Sequence, residues 1–160
     1  MSGPSRSGKT RLLTRLVPAL RRRGLVVGAL KHAGHAHTLD RPGKDSERLR
    51  RAGAVAVAVQ ARDELAFFGP PLRGGARAMA RLLPPVDLVL AEGFKGEALP
   101  RLEVHRRAVS SEFLCARDRR VVAVIGDEAP PRDLPRFRPS EVEAVADFLV
   151  RRFRLRGRRG

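Results

Sequence analysis

Apolar residues recur at helical spacing from Thr10 onward: Leu12, Leu13, Leu16, Val17 and Leu20 form one stripe. Arginines in the last turn and Gly24 supply the stop. Residues 25–30 are a short apolar run rich in valine and predict a buried strand. A polar loop with three histidines fills 31–42. Residues 44–52 predict a short helix ended by Gly53, and residues 54–59 and 64–68 predict strands. Helical spacing over 72–83 stops at Pro84-Pro85. Residues 86–91 are apolar apart from Asp87 and predict a strand buried on both faces. Strands are also expected over 99–105 and 120–125. Residues 140–153 predict a closing helix, with Ser140 as N-cap and Glu143 completing a capping box. Residues 154–160 form a basic tail without pattern, expected to be disordered, so the folded domain is placed at 1–153.

Strands alternating with helices imply a single α/β domain, with a mostly parallel or mixed sheet flanked by helices. Neither a repeat nor a linker divides the chain.

Composition changes this picture little. No apolar run reaches the roughly 18 residues of a membrane span, and the opening residues lack a basic-then-apolar leader. With Cys115 as the one cysteine, no internal disulfide can form, which fits a reducing cytoplasm. The formal net charge is +16, which attracts polyanions. Two readings stand: arginine-rich compositional bias, or a nucleic-acid surface. The 4% aromatic content, with no Trp or Tyr, leaves few stacking platforms for single strands. Of 33 basic residues only Lys9, Lys31, Lys44 and Lys95 are lysine. A lysine in so arginine-rich a chain marks a place where a compact charge on a flexible stem matters.

Residues 3–10, GPSRSGKT, match G-x-x-x-x-G-K-[ST] with a helix following. Such a loop wraps backbone N–H groups around a phosphate at a helix N-terminus. Gly3, Ser5, Arg6, Ser7, Gly8 and Arg11 are the candidate cradle residues. Lys9 would reach the β- and γ-phosphates, and the Thr10 hydroxyl would ligate Mg²⁺. A strand ordinarily precedes this loop. Only Met1 and Ser2 stand ahead of Gly3, so that first strand is missing from the sequence.

The acid ending the strand in residues 87–95, DLVLAEGFK, is Glu92, a Walker B candidate for Mg²⁺. Lys9 and Glu92 are the catalytic candidates, Thr10 and Glu92 the metal ligands. Gly93 would let the backbone approach a γ-phosphate. Asp45 and Ser46 either cap a helix or touch phosphate or Mg²⁺. His32, His35 and His37 suggest a metal site but lack a convincing fourth ligand, which favours a solvated loop.

Together GPSRSGKT at 3–10, KH at 31–32 with DRPGKDS at 40–46, AEGFK at 91–95 and RLEVHR at 101–106 resemble the molybdopterin-guanine dinucleotide biosynthesis adapter family, MobB. The resemblance implies a P-loop NTPase-like fold and a GTP-binding homodimer that is at most a weak GTPase. It implies GTP and Mg²⁺ as ligands and the guanylyltransferase MobA as partner, in a cytoplasmic step of molybdenum cofactor maturation. It leaves Glu103 and His105 near the nucleotide or at a dimer contact. With no Asn in the chain, the usual N-K-x-D guanine reader cannot exist. Asp127, just after a strand, is the candidate acceptor for guanine N1 and N2; an ordinary turn-forming Asp is the alternative. A small P-loop kinase and a basic nucleic-acid binder are the rival functions. The first is tested by labelled γ-phosphate transfer, the second by steeply salt-dependent polyanion binding.

Overall fold

The computed structural model describes residues 1–33 and 39–157. It divides into two units, Met1–His32 with Gly75–Gly160, and Ala33–Gly74.

The first unit is built on parallel strands. Helix α1 (Lys9–Arg21) follows the N-terminal loop, and its leucine stripe is the buried one: Leu16 and Leu20 are fully enclosed. Strand β1 (Val27–Lys31) pairs in parallel with β4 (Leu88–Glu92). Strands β5 (Arg101–Val104), β6 (Val121–Ile125) and the two-residue β7 (Arg136–Phe137) form a second parallel set. Helix α4 (Val142–Phe153) packs beside α1 on one face, where Leu16, Leu20, Val145 and Leu149 meet Leu102, Ala123 and Ile125. Short α3 (Gly75–Ala80) covers β1 and β4 from the other face through Ala76, Leu30 and Phe94. This is the expected α/β class, with helices on both faces.

Three expectations need correction. The helix over 72–83 is much shorter, because Gly74 and Gly75 both take positive φ and delay its start. The capping box at Ser140 does not form: Glu141 occupies the N-cap and no side chain caps the helix. Glu143 instead pairs with Arg22 and Arg23, and Arg23 also reaches Asp147 at 2.7 Å, so these acids tie α4 to the end of α1. The tail, expected to be patternless from Arg154, keeps Leu155 packed against the main core; residues 158–160 lie outside the described residues. The short 3-10 turn Leu114–Ala116 and β7 carry no periodic signal and were not expected.

The 3-10 turn is held by a buried acid. Glu103, 2% exposed, accepts the Leu114 N–H at 2.6 Å and the Cys115 N–H at 2.8 Å. Cys115 is fully enclosed, as a small apolar residue, and burial with the Glu103 carboxylate pushes its thiol up to about 11.

In the second unit, α2 (Asp45–Arg51) precedes an antiparallel hairpin of β2 (Val57–Gln60) and β3 (Leu65–Phe68). Asp45 does not cap: Lys44 is the N-cap, and the 95% exposed Asp45 carboxylate lies 3.7 Å from Arg48. Ser46 donates to the buried Asp40 at 2.8 Å, which fixes the turn ahead of the helix.

Candidate nucleotide site

The loop of residues 3–10 lies between the parallel strands and α1. Gly3 has φ 141°, and a Cβ there would sit 2.4 Å from the Val104 carbonyl oxygen, so the loop passes β5 at a distance only glycine allows. Arg6 also takes a left-handed conformation, with φ 62°, of the kind that gathers at ligand-binding loops. Gly8 precedes α1, whose first turn contains Lys9 and Thr10. Ser7 is buried, whereas Ser5 and Arg6 are exposed.

Lys9 curls back over its own loop, Nζ donating to the Pro4 carbonyl at 2.6 Å. Burial lowers its pKa below the usual 10.5, and the Glu92 carboxylate opposes that shift. The Thr10 hydroxyl donates to both Glu92 oxygens, at 2.8 and 3.1 Å. The two residues named as metal ligands, 82 positions apart, are thus in direct contact. A hydroxyl and a carboxylate at this spacing fit a hard divalent cation bound beside phosphate. Gly93 follows Glu92 with φ 95°, and a Cβ there would lie 2.8 Å from that of His32. His32 packs edge-on against Phe94 at 5.3 Å; His35 and His37 lie outside the described residues.

A cavity of about 400 Å³ opens beside the loop, lined by Ser7, Gly8, Arg11, Arg15, His105 and Asp127. Asp127 follows β6 and Arg11 lies in the first turns of α1, so parallel topology sets them at one sheet edge with the loop. Asp45 belongs to the second unit and is not among these residues. Of the two residues left near the nucleotide or at a dimer contact, His105 is a wall of this cavity. Its ring stacks on Phe113 at 3.8 Å, and Nε2 lies 3.2 Å from Glu128. Arg107 holds the Glu128 carboxyl below its ordinary range, and His105 adds to the effect. Glu103, two residues earlier, binds backbone amides of the 3-10 turn and is not part of the cavity lining.

The comparisons with known proteins agree with one another. The profile of the MobB family, described as molybdopterin guanine dinucleotide synthesis protein B, matches residues 1–127. The chain is similar to the molybdopterin-guanine dinucleotide biosynthesis adapter protein of Escherichia coli (strain K12), with 36% identity over 153 residues, 91% of this chain and 87% of that one. It is 33% identical to the protein of the same name from Haemophilus influenzae, over 93% of this chain and 85% of the relative. Among solved structures it is similar to Bacillus subtilis MobB, with a TM-score of 0.70 and 25% identity, covering 98% and 96% of the two chains. It is likewise similar to a MobB homolog from Bacillus stearothermophilus, at a TM-score of 0.65 and 27% identity, covering 95% and 94%. By profile, by sequence relatives and by fold, this chain belongs to the MobB family.

Proposed function

We propose that this protein is a GTP-binding adapter that assists guanine dinucleotide attachment to molybdopterin in the cytoplasm, at most a weak GTPase, acting with a guanylyltransferase of the MobA type. The observation that carries the nucleotide reading is the Thr10–Glu92 contact beneath the phosphate loop. GTP would bring its phosphates to the loop amides and Lys9, and Mg²⁺ would be held by Thr10 and Glu92. The base would enter the cavity that Asp127 lines. A bound Mg²⁺ supplies charge neutralisation at the phosphate oxygens. Among the described residues no helix is long and apolar enough to cross a membrane.

Asp127 supports guanine over adenine. Its carboxylate can accept the N1–H and N2–H donors of guanine, whereas adenine presents a bare N1 acceptor. A charged hydrogen bond contributes about 1.5–3 kcal/mol, which predicts roughly a 10- to 100-fold preference for Mg²⁺–GTP over Mg²⁺–ATP. Titration calorimetry should show that preference and its loss in Asp127→Ala. Equal affinities in the parent protein would remove the guanine assignment and leave the phosphate loop standing.

The homodimer is proposed through the β2–β3 hairpin. Leu65 and Phe67 share a strand face and are 73% and 58% exposed. A two-stranded ribbon with such a face is marginal alone and gains by pairing with a second copy. Sedimentation equilibrium should show a dimer that Phe67→Ser weakens. A monomer in the parent protein at micromolar concentration would sink the assignment.

A further inference from the structure

The end of β5 stands between the loop of residues 3–10 and the end of β6. Ser2, just ahead of the loop, forms a parallel bridge with Glu103, and its carbonyl accepts the Val104 N–H at 2.8 Å. On the other side the His105 N–H donates to the Ile125 carbonyl at 2.9 Å, which carries the ladder one residue beyond β5. A Cβ at Gly126 would lie 2.8 Å from the His105 carbonyl oxygen, so glycine keeps these two strand ends close. Neighbouring strands are roughly 4.8 Å apart, so the loop and Asp127 stand two such steps from each other, with His105 at the step between them.

His105 is 3% exposed, and its ring is fixed on two sides. It stacks on Phe113 with centroids 3.8 Å apart and planes 16° from parallel, and Nε2 lies 3.2 Å from a Glu128 oxygen. Arg107, and after it His105, hold the Glu128 carboxyl below its ordinary range. A carboxylate can only accept, so Nε2 carries the ring proton and Nδ1 is left as an acceptor. Among the described residues that Nδ1 is buried without a partner, and so is Oγ of Ser7, which is 5% exposed. Both residues line the cavity beside the loop. An unpaired buried polar atom is costly, and two at one cavity call for a ligand that supplies their partners.

We infer that His105 binds the pentose of the nucleotide, its Nδ1 accepting a hydrogen bond from a ribose hydroxyl, with Glu128 as the positioning residue that sets the ring tautomer. The assignment rests on the nucleotide reading above, in which the phosphates lie on the loop and the base reaches Asp127. The covalent order of a nucleotide puts the sugar between those two ends, and the end of β5 lies between the loop and Asp127. Ser7, on the loop itself, belongs to the phosphate end. A bare ring nitrogen selects by what it lacks: a ribose hydroxyl donates to it, whereas a sugar without that hydroxyl leaves it unpaired inside the fold. The cavity therefore reads the hydroxyl edge of the sugar as well as the base.

Titration calorimetry on the full chain compares Mg²⁺–GTP with Mg²⁺–dideoxy-GTP, which lacks both ribose hydroxyls. The parent protein should bind the dideoxy form about tenfold more weakly, and the two monodeoxy forms separate which hydroxyl is read. His105→Phe keeps a stacked ring and removes both nitrogens, and it should bind GTP and dideoxy-GTP alike. Imidazole nitrogen NMR of the free protein is a readout that needs no nucleotide. It should find the proton on Nε2 in the parent protein and shared between both nitrogens in Glu128→Ala. Equal affinity of the parent protein for GTP and dideoxy-GTP overturns the sugar contact and leaves the nucleotide reading standing. A proton on Nδ1 of the free parent protein, or undiminished discrimination in folded His105→Phe, overturns the contact as well. Failure of the parent protein to bind any of these nucleotides overturns the nucleotide reading itself, and the sugar contact with it.

Discussion

Replacing Lys9 with alanine is expected to weaken Mg²⁺–GTP binding by at least about 100-fold, near the loss of two charge-assisted hydrogen bonds at about 1.5–3 kcal/mol each. The Lys9 amine now rests on the Pro4 carbonyl of its own loop, 2.6 Å away, and is tethered there by a flexible stem. Swinging from that carbonyl onto a phosphate exchanges a neutral acceptor for an anion and needs little rearrangement. Lys9→Arg should also bind poorly, because a planar fork cannot settle where a compact ammonium fits. The melting temperature should hold in both variants, since the aliphatic part of Lys9 is not in the leucine core. Unchanged GTP affinity in Lys9→Arg, measured by calorimetry, would show that the loop does not hold phosphate through this lysine.

Glu103→Gln should cost stability rather than nucleotide binding, by about 2–4 kcal/mol. The carboxylate is 2% exposed and receives two N–H groups, from Leu114 and Cys115. Glutamine keeps one acceptor oxygen and turns an NH₂ group toward the second N–H. Two donors then face each other inside the fold, and a buried donor without a partner is costly. The enclosed Cys115 beside it supplies a second readout. Its thiol, raised to about 11, should resist thiol reagents at pH 8 in the parent protein and react sooner in the variant as the 3-10 turn loosens. Denaturant unfolding of the two forms checks the first outcome. Equal midpoints and slopes would mean that the two N–H bonds are not needed to hold the turn.

Much of the fold was legible because its signals are local. The stripe from Leu12 to Leu20 needs only the period of a helix to declare which face is buried, and the core uses that face. The valine-rich runs ending near Lys31 and Ile125 are strands for a similar reason: β-branched residues suit a pleated, covered surface. Their parallel pairing followed from the helices between them. The glycine pattern of residues 3–10 was legible for a stricter reason: Gly3 is pressed against the Val104 carbonyl, where no side chain fits.

Other features were set by partners distant in sequence. Glu143 has the spacing of a capping residue, yet it faces Arg22 and Arg23 at the end of another helix, so the ion pairs prevailed over the local cap. Glu103 and His105 sit two residues apart in one motif, and only the flanking elements divide their roles. Glu103 meets the amides of the 3-10 turn, while His105 meets Phe113 and lines the cavity beside the phosphate loop. Asp127 shared no spacing rule with the loop at the other end of the chain, and it reaches the same cavity because parallel strands end at one edge. The sequence by itself determined α1, α4, the strands other than β7, the glycine-patterned loop of residues 3–10 and the acid at the end of β4. The tertiary structure alone decided that Thr10 touches Glu92 and that Asp127 and His105 share a wall. Those are distances between segments, and they depend on how the burial of every segment is satisfied at once.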